Sequence, residues 1–403
     1  MERLYWNNDW KFAETWEEAM KEAVYPENEM EDVRLPHTCK ELPYHYFDEH
    51  AYQMLCGYRR HFMAPEAWQG KSVELTFEGV AHDAVVYVNG TEVKAHHCGY
   101  TAFSVELAKY LKYGEDNVLA VRVDSRENLN IPPFGYAIDY MTFGGMYREV
   151  YVQVRNKTHL ADVFVKPQIH PLQVTTEITV QNISDGITLQ QEIRKKGEGA
   201  YSPLGKKPVK QTNVQTVFPV QEIRLWEPEN PHLYEIRTSL WKNGEMIDAR
   251  VDITGFREAG FRKDGFYLNG KKLRLRGLNR HQSYPYVGYA APASMQIFDA
   301  DILKKELGVN AVRTSHYPQS QDFIRRCDEI GLLVFTEFPG WQHIGDEEWK
   351  RQAVQNLKEM IVQYRNHPSI ILWGVRINES QDDDVFYGET NRVAHELDDT
   401  RAT

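Results

Sequence analysis

The sequence predicts a multidomain chain: a jelly-roll β-sandwich over residues 1–155, an immunoglobulin-like β-sandwich over 156–257, and the first half of a (β/α)8 TIM barrel over 258–403. Two observations carry this reading. Up to residue 254, short runs of β-forming residues are separated by Gly, Pro and Asn, with no helical period between them. After Gly265, strand-like and helix-like stretches alternate, which is the pattern of a parallel sheet with crossover helices. The length of 403 residues agrees, since one domain usually takes roughly 100–200 residues.

In the first unit, residues 73–77, 84–88, 118–123 and 149–154 read as strands, and Asn89-Gly90 is a two-residue hairpin signal. Short antiparallel strands of this kind suit a jelly-roll sandwich. In the second unit, residues 175–180 and 236–241 read as strands, with Asn243-Gly244 as another hairpin turn, and the length suits an immunoglobulin-like sandwich. The basic stretch 194–210, which carries Gly197, Gly199, Gly205 and Pro208, reads as a mobile loop within it. In the third unit, strands are expected at 272–277, 311–314, 332–336 and 370–373. Helices are expected at 294–307, 321–330, 347–364 and near 391–397, the first two stopped by Gly308 and Gly331. Four βα units make half a barrel. A doubly wound sheet would want a Gly-rich phosphate turn after its first strand, and Arg276-Gly-Leu-Asn-Arg-His281 is not one.

Composition narrows the function. Apolar residues at 42% and charged residues at 26% are ordinary for packed globular domains. The 47 Lys and Arg against 58 Asp and Glu give a net charge of -11, which disfavours nucleic acid as a partner and suits an uncharged substrate. The N-terminus lacks a basic segment followed by an apolar one, and no stretch is apolar for long enough to span a bilayer, so the chain reads as cytoplasmic with no membrane partner. Cys39, Cys56, Cys98 and Cys327 show no Cys-x-x-Cys spacing and read as buried free thiols.

In a barrel of this type the site lies at the C-terminal ends of the strands. Those ends carry Asn279-Arg-His281, Arg313-Thr-Ser-His316, Glu337 and Asn378-Glu379. Asn, His, Arg and Glu without a nucleophilic Cys fit hydroxyl recognition and carboxylic acid/base work. Glycosidic hydrolysis needs one carboxylic acid to protonate the leaving oxygen and a second carboxylate at the anomeric carbon, and Glu379 is the candidate acid. The competing structural readings are plain: a Glu at a strand end often closes a salt bridge, a lone His often sits satisfied in a core, and an Asp near a turn often caps it.

The residues also carry a resemblance. Asn310-Ala-Val-Arg-Thr-Ser-His-Tyr-Pro318, followed by Phe323-Ile324, Asp328 and Gly331-Leu-Leu-Val-Phe335, resembles the first signature of glycoside hydrolase family 2. Arg365-Asn-His-Pro-Ser-Ile-Ile-Leu-Trp-Gly374 leading to Asn378-Glu379 resembles the acid/base signature, with Tyr364 departing from an acidic or amide residue usual there. Upstream, 77–90 and Gly144-Gly-Met-Tyr-Arg-Glu-Val150 are similar to the family's sugar-binding jelly roll. The resemblance implies that Glu379 is the acid/base, that Asn378 holds the sugar 2-hydroxyl, and that His281 and His316 contact the sugar. It further implies that Asp139 reaches the barrel mouth from a jelly-roll loop, and that Arg313 and Glu337 orient a nucleophilic carboxylate.

The activity so implied is a retaining exo-glycosidase acting on terminal β-D-galactosides. A β-glucuronidase, a β-mannosidase and a non-catalytic carbohydrate-binding remnant stand as alternatives. No cofactor is assigned: the resemblance would allow a divalent or monovalent metal, but the loop Phe338-Pro-Gly-Trp-Gln-His343 departs from the metal-site pattern of some members, which leaves metal dependence open. The expected partner is a carbohydrate, and the family's habit of assembling adds a homo-oligomer. A complete barrel takes about 250 residues, so the nucleophile is expected at a strand end outside these residues. The chain alone is then expected to be inactive, and its fourth strand to leave an unpaired edge.

Overall fold

The computed structural model describes residues 3–45, 48–135 and 137–403. Its first sandwich packs a six-stranded sheet against a four-stranded one, and all their pairings are antiparallel. Strand Ser72–Phe77 shows how the sequence builds it: Val73, Leu75 and Phe77 are fully buried at alternate positions, as a period of two requires. Asn89 and Gly90, with φ of 51° and 84°, turn Asp83–Val88 back into Thr91–His96, a conformation that favours Asn-Gly. The second sandwich faces a three-stranded sheet against a four-stranded one around Leu160, Ile178, Leu189 and Ile236. All four cysteines are buried and free.

The basic stretch expected to be a loop is a hairpin instead. Ile187–Lys195 pairs antiparallel with Ser202–Pro208, and only 196–201 turn, with Gly197 and Gly199 at φ of 71° and 64°. The three consecutive cations at its turn do not repel the chain into solvent because each finds an anion, and Lys207 donates to the Gln215 carbonyl. Arg194 pairs with Glu235, Lys195 with Glu198 and Lys196 with Glu329. Gly205 is small because the Phe218 ring covers it: a Cβ there would lie 2.2 Å from that ring.

The third unit is a parallel four-stranded sheet, Gly277–Arg280, Ala311–Thr314, Leu333–Glu337 and Ile370–Gly374, with helices α1 (Ala293–Asp301), α2 (Gln321–Ile330), α3 (Glu347–Tyr364) and α4 (Asp384–Leu397). The first strand starts later than the alternation at 272–277 suggests. Lys271–Lys272 instead closes a small antiparallel sheet with Gly265–Leu268. Strand pairing with Ala311 begins only at Gly277, where a Cβ would lie 2.5 Å from the Ala311 carbonyl oxygen. α1 ends at Asp301 and widens into a π-helical turn over Ile302–Glu306. α4 begins seven residues before the expected start, where Asp383 caps the Phe386 N–H. Gly331 ends α2 in the left-handed conformation, φ 70°.

The edge of the fourth strand is not wholly bare. Leu372 pairs in parallel with Ala402, and the Trp373 N–H donates to the Ala402 carbonyl at 3.0 Å. Arg401 anchors this return by donating to Asp398 at 2.6 Å and to the Ile370 carbonyl at 2.9 Å. The acid/base-signature residues Arg365 and Asn366 lace the barrel to the second sandwich. Arg365 pairs with Asp162, and Asn366 donates to the Val163 carbonyl at 2.8 Å and accepts from the Val165 N–H at 2.9 Å. Tyr364, the departure from that signature, is fully buried on α3. No helix among the described residues is long and apolar enough to cross a membrane.

Candidate active site

The strand ends converge on a buried carboxylate. Glu337, the last residue of the third strand, is 2% exposed. The Arg313 guanidinium, one strand over, donates to it twice, at 2.9 and 3.0 Å, and His316 donates from Nδ1 at 2.6 Å. A fork-to-fork pair of this kind fixes both planes. Arg313 Nη2 also donates to Asn378 Oδ1 at 2.9 Å, tying the second strand to the loop after the fourth. With Oδ1 occupied as an acceptor, the Asn378 amide nitrogen is left as a donor. Because Nδ1 of His316 faces a carboxylate, Nε2 remains for another partner.

Glu379 stands exposed beside this hub at φ 54°. A left-handed backbone at a Glu is disfavoured and is found where surroundings enforce it. The loop after the third strand does so here: Trp341 pairs with Asn378, the Gln342 N–H donates to the Asn378 carbonyl at 2.8 Å, and Gln342 Nε2 donates to Glu379 Oε2 at 3.1 Å.

His281 follows the first strand and shares Nδ1 with the Tyr317 hydroxyl at 3.1 Å. Its ring lies 5.7 Å from that of His316, and Tyr140, from the first sandwich, lies 5.1 Å from His281 and 6.1 Å from His316. Burial, reinforced by neighbouring His316, pushes the His281 imidazole below its ordinary value, while Asp139 and Glu337 oppose that fall. Asp139 is therefore within electrostatic reach of His281, although it is exposed and lies on a loop of another domain. A cleft of about 520 Å³ opens beside Arg313, Glu337, Asn378 and Tyr387.

The structure thus brings together His316, Glu337, Arg313 and Asn378 by direct contact, holds Glu379 next to Asn378, and places His281 and Asp139 around Tyr140. Tyr140, Trp341 and Gln342 escaped the reading of the sequence. The Trp341 ring lies 4.9 Å from that of His316. An aromatic between Pro-Gly and a polar residue just past a barrel strand end was the available signal. Among the described residues, no group of three or more His, Cys, Asp or Glu is placed to hold a metal ion.

Comparison with known proteins bears on the same regions. Profiles described as Glycosyl hydrolases family 2, sugar binding domain, Glycosyl hydrolases family 2, and Glycosyl hydrolases family 2, TIM barrel domain match residues 32–155, 158–257 and 260–403. A β-galactosidase of Thermoanaerobacter pseudethanolicus is 48% identical over 99% of this chain and 55% of its own length. A β-galactosidase of Thermoanaerobacterium thermosulfurigenes is 46% identical over 98% of this chain and 57% of its own. The solved structure of Bacteroides uniformis β-glucuronidase 2, covalently bound to cyclophellitol-6-carboxylate aziridine, superposes with a TM-score of 0.90 at 28% identity, covering 100% of this chain and 52% of that one. The chain spans little more than half the length of these relatives. Matched in order by three profiles of one family, and sharing its architecture throughout, the chain belongs to glycoside hydrolase family 2.

Proposed function

We propose that these residues carry the acid/base side of a retaining exo-β-galactosidase, with Glu379 as the proton donor to the leaving oxygen. The observation that carries this reading is the placement of Glu379 in the loop that follows the fourth strand, directly after an Asn378 whose Oδ1 is held by Arg313. Asn378 then offers its amide hydrogens to a sugar hydroxyl, and the carboxyl of Glu379, whose backbone is left-handed, is exposed to solvent. His316, braced on Glu337, and His281, braced on Tyr317, present ring nitrogens to the same sugar, with Asp139 gripping it from the first sandwich. Arg313 and Glu337 form the rigid backing that would orient the second carboxylate. The choice of galactoside is supported by the two β-galactosidases at 48% and 46% identity, against 31% for a putative β-glucuronidase of Formosa agariphila.

The test is Glu379→Gln in a polypeptide of the relatives' length, assayed on aryl β-galactosides of graded leaving-group acidity and on the matching β-glucuronides. Alkyl and natural galactosides are expected to lose about 10² to 10⁴ in kcat/KM, while substrates with good phenolate leaving groups keep glycosylation, because they need little protonation. Equal losses across the series would exclude the acid role. Faster cleavage of glucuronides by the unaltered protein would replace the galactoside reading.

A further inference from the structure

Arg148 is buried in the first sandwich, and all its hydrogen bonds go to neutral oxygens. Nη1 donates to the Glu78 and Tyr100 carbonyls at 3.3 and 3.1 Å, within its own domain. Nη2 donates across the domain boundary, to Gln282 Oε1 at 3.1 Å and to the Pro318 carbonyl at 3.2 Å. These two acceptors occupy related places, since Gln282 follows His281 by one residue and Pro318 follows His316 by two. A second path runs in parallel. The Tyr100 ring stacks on Tyr317 at 4.4 Å and 12°, and the Tyr317 hydroxyl meets His281 Nδ1 at 3.1 Å and the Gln282 N–H at 3.4 Å. The guanidinium thus closes a circuit: Arg148 to Tyr100, Tyr100 to Tyr317, Tyr317 to His281 and Gln282, and Gln282 back to Arg148.

Burying a cation that hydrogen-bonds no carboxylate is costly, and an apolar side chain of similar volume would pack there more cheaply. What the guanidinium supplies instead is a planar fork of fixed donor directions, which an ammonium cannot reproduce. Gly79 makes room for it, because a Cβ there would lie 2.9 Å from Arg148 Cδ.

We propose that Arg148 is a positioning residue through which the N-terminal sandwich sets the His281 and His316 pair at the barrel mouth. The proposal rests on the reading of those histidines as sugar contacts, and it gives the sandwich a part in the site distinct from the direct reach of Asp139.

The test compares Arg148→Met, Arg148→Lys and, as a control for lost packing, Val86→Ala in the same sandwich core. Two readouts are taken: the ring signals of isotopically labelled histidines in the 403-residue chain, and kcat against KM for an aryl β-galactoside in a polypeptide of the relatives' length. The expected result is that Arg148→Met shifts the His281 and His316 signals together, leaves those of the remote His159 and His170 in place, and lowers kcat at least about tenfold with KM changed less than about threefold. Arg148→Lys should show the same pattern at smaller size, and Val86→Ala should show neither change. If Arg148→Met does not fold, Arg148→Lys decides by the same criteria. Unchanged histidine signals in a folded Arg148 variant, or the same shifts in Val86→Ala, would overturn the proposal. A protein that cleaves no glycoside would remove the functional reading, yet the histidine signals would still decide whether Arg148 sets the pair.

Discussion

The His281 imidazole sits where burial and a neighbouring ring both disfavour its charged form, while two carboxylates pull the other way. Its titration midpoint in the folded chain is expected below the ordinary value of 6.5, so that it stays neutral at neutral pH. Asp139→Asn removes one of the opposing charges and should lower the midpoint further, whereas His316→Gln removes a repelling one and should raise it. Histidine NMR titration of the three proteins checks both signs, and a midpoint indifferent to Asp139→Asn would show that this carboxylate does not act at the barrel mouth. Most residues of the candidate site were legible in the sequence because each stands at a barrel strand end or in the loop that follows it, where position and chemistry coincide: Arg313, His316, Glu337, Asn378 and Glu379. Tyr140, Trp341 and Gln342 could not, because their place depends on how a sandwich loop and the third βα loop fold across that face. Nothing in local spacing records such a meeting. Arg148 is the extreme case, a residue of a β-strand domain that sends two of its four hydrogen bonds to barrel loops.

At the level of elements, regular periodicity was legible and exceptions were not. The strongly amphipathic α2 and α3 begin and end where caps and glycine place them, at Ser320, Gly331 and Asp346. The first barrel strand was misplaced because Leu273 and Leu275 alternate with Arg as a strand would, although Lys271–Lys272 pairs elsewhere. The hairpin at 187–208 was hidden by its charges, two of whose anionic partners, Glu235 on the neighbouring strand and Glu329 on α2, are distant in sequence. Gly331 illustrates an element boundary that also serves the interior. Its backbone is left-handed, and a Cβ there would lie 2.3 Å from the Pro228 carbonyl oxygen, in the loop that joins strands Asn213–Pro219 and Tyr234–Lys242 of the second sandwich. Gly331→Ala is expected to destabilise the chain by about 1 to 3 kcal/mol, through backbone strain and displacement of that contact. Urea unfolding followed by tryptophan fluorescence measures it, and an unchanged midpoint would mean that the loop yields freely.

At the level of the whole molecule, the three units and their order were readable, whereas their lacing was not. A retaining mechanism takes a second carboxylate about 5 Å from the acid. Among the described residues, Glu337 is already engaged by Arg313 and His316, while Glu389 and Glu396 face solvent on α4. The purified 403-residue polypeptide is therefore expected to show no turnover of an aryl β-galactoside; clear turnover abolished by Glu379→Ala would place the nucleophile within these residues. The pairing of Arg365 with Asp162 and the bonds of Asn366 to the backbone at 163 and 165 have a consequence of another kind. Two of the most recognisable residues of the acid/base signature are spent on holding a neighbouring domain, so their persistence among relatives would report a shared interface as much as a shared chemistry. A chimera that exchanged the second sandwich between two members of the family would inherit this seam, and could be spliced without loss only where both parents present a carboxylate at the position of Asp162 and an extended backbone beside Asn366.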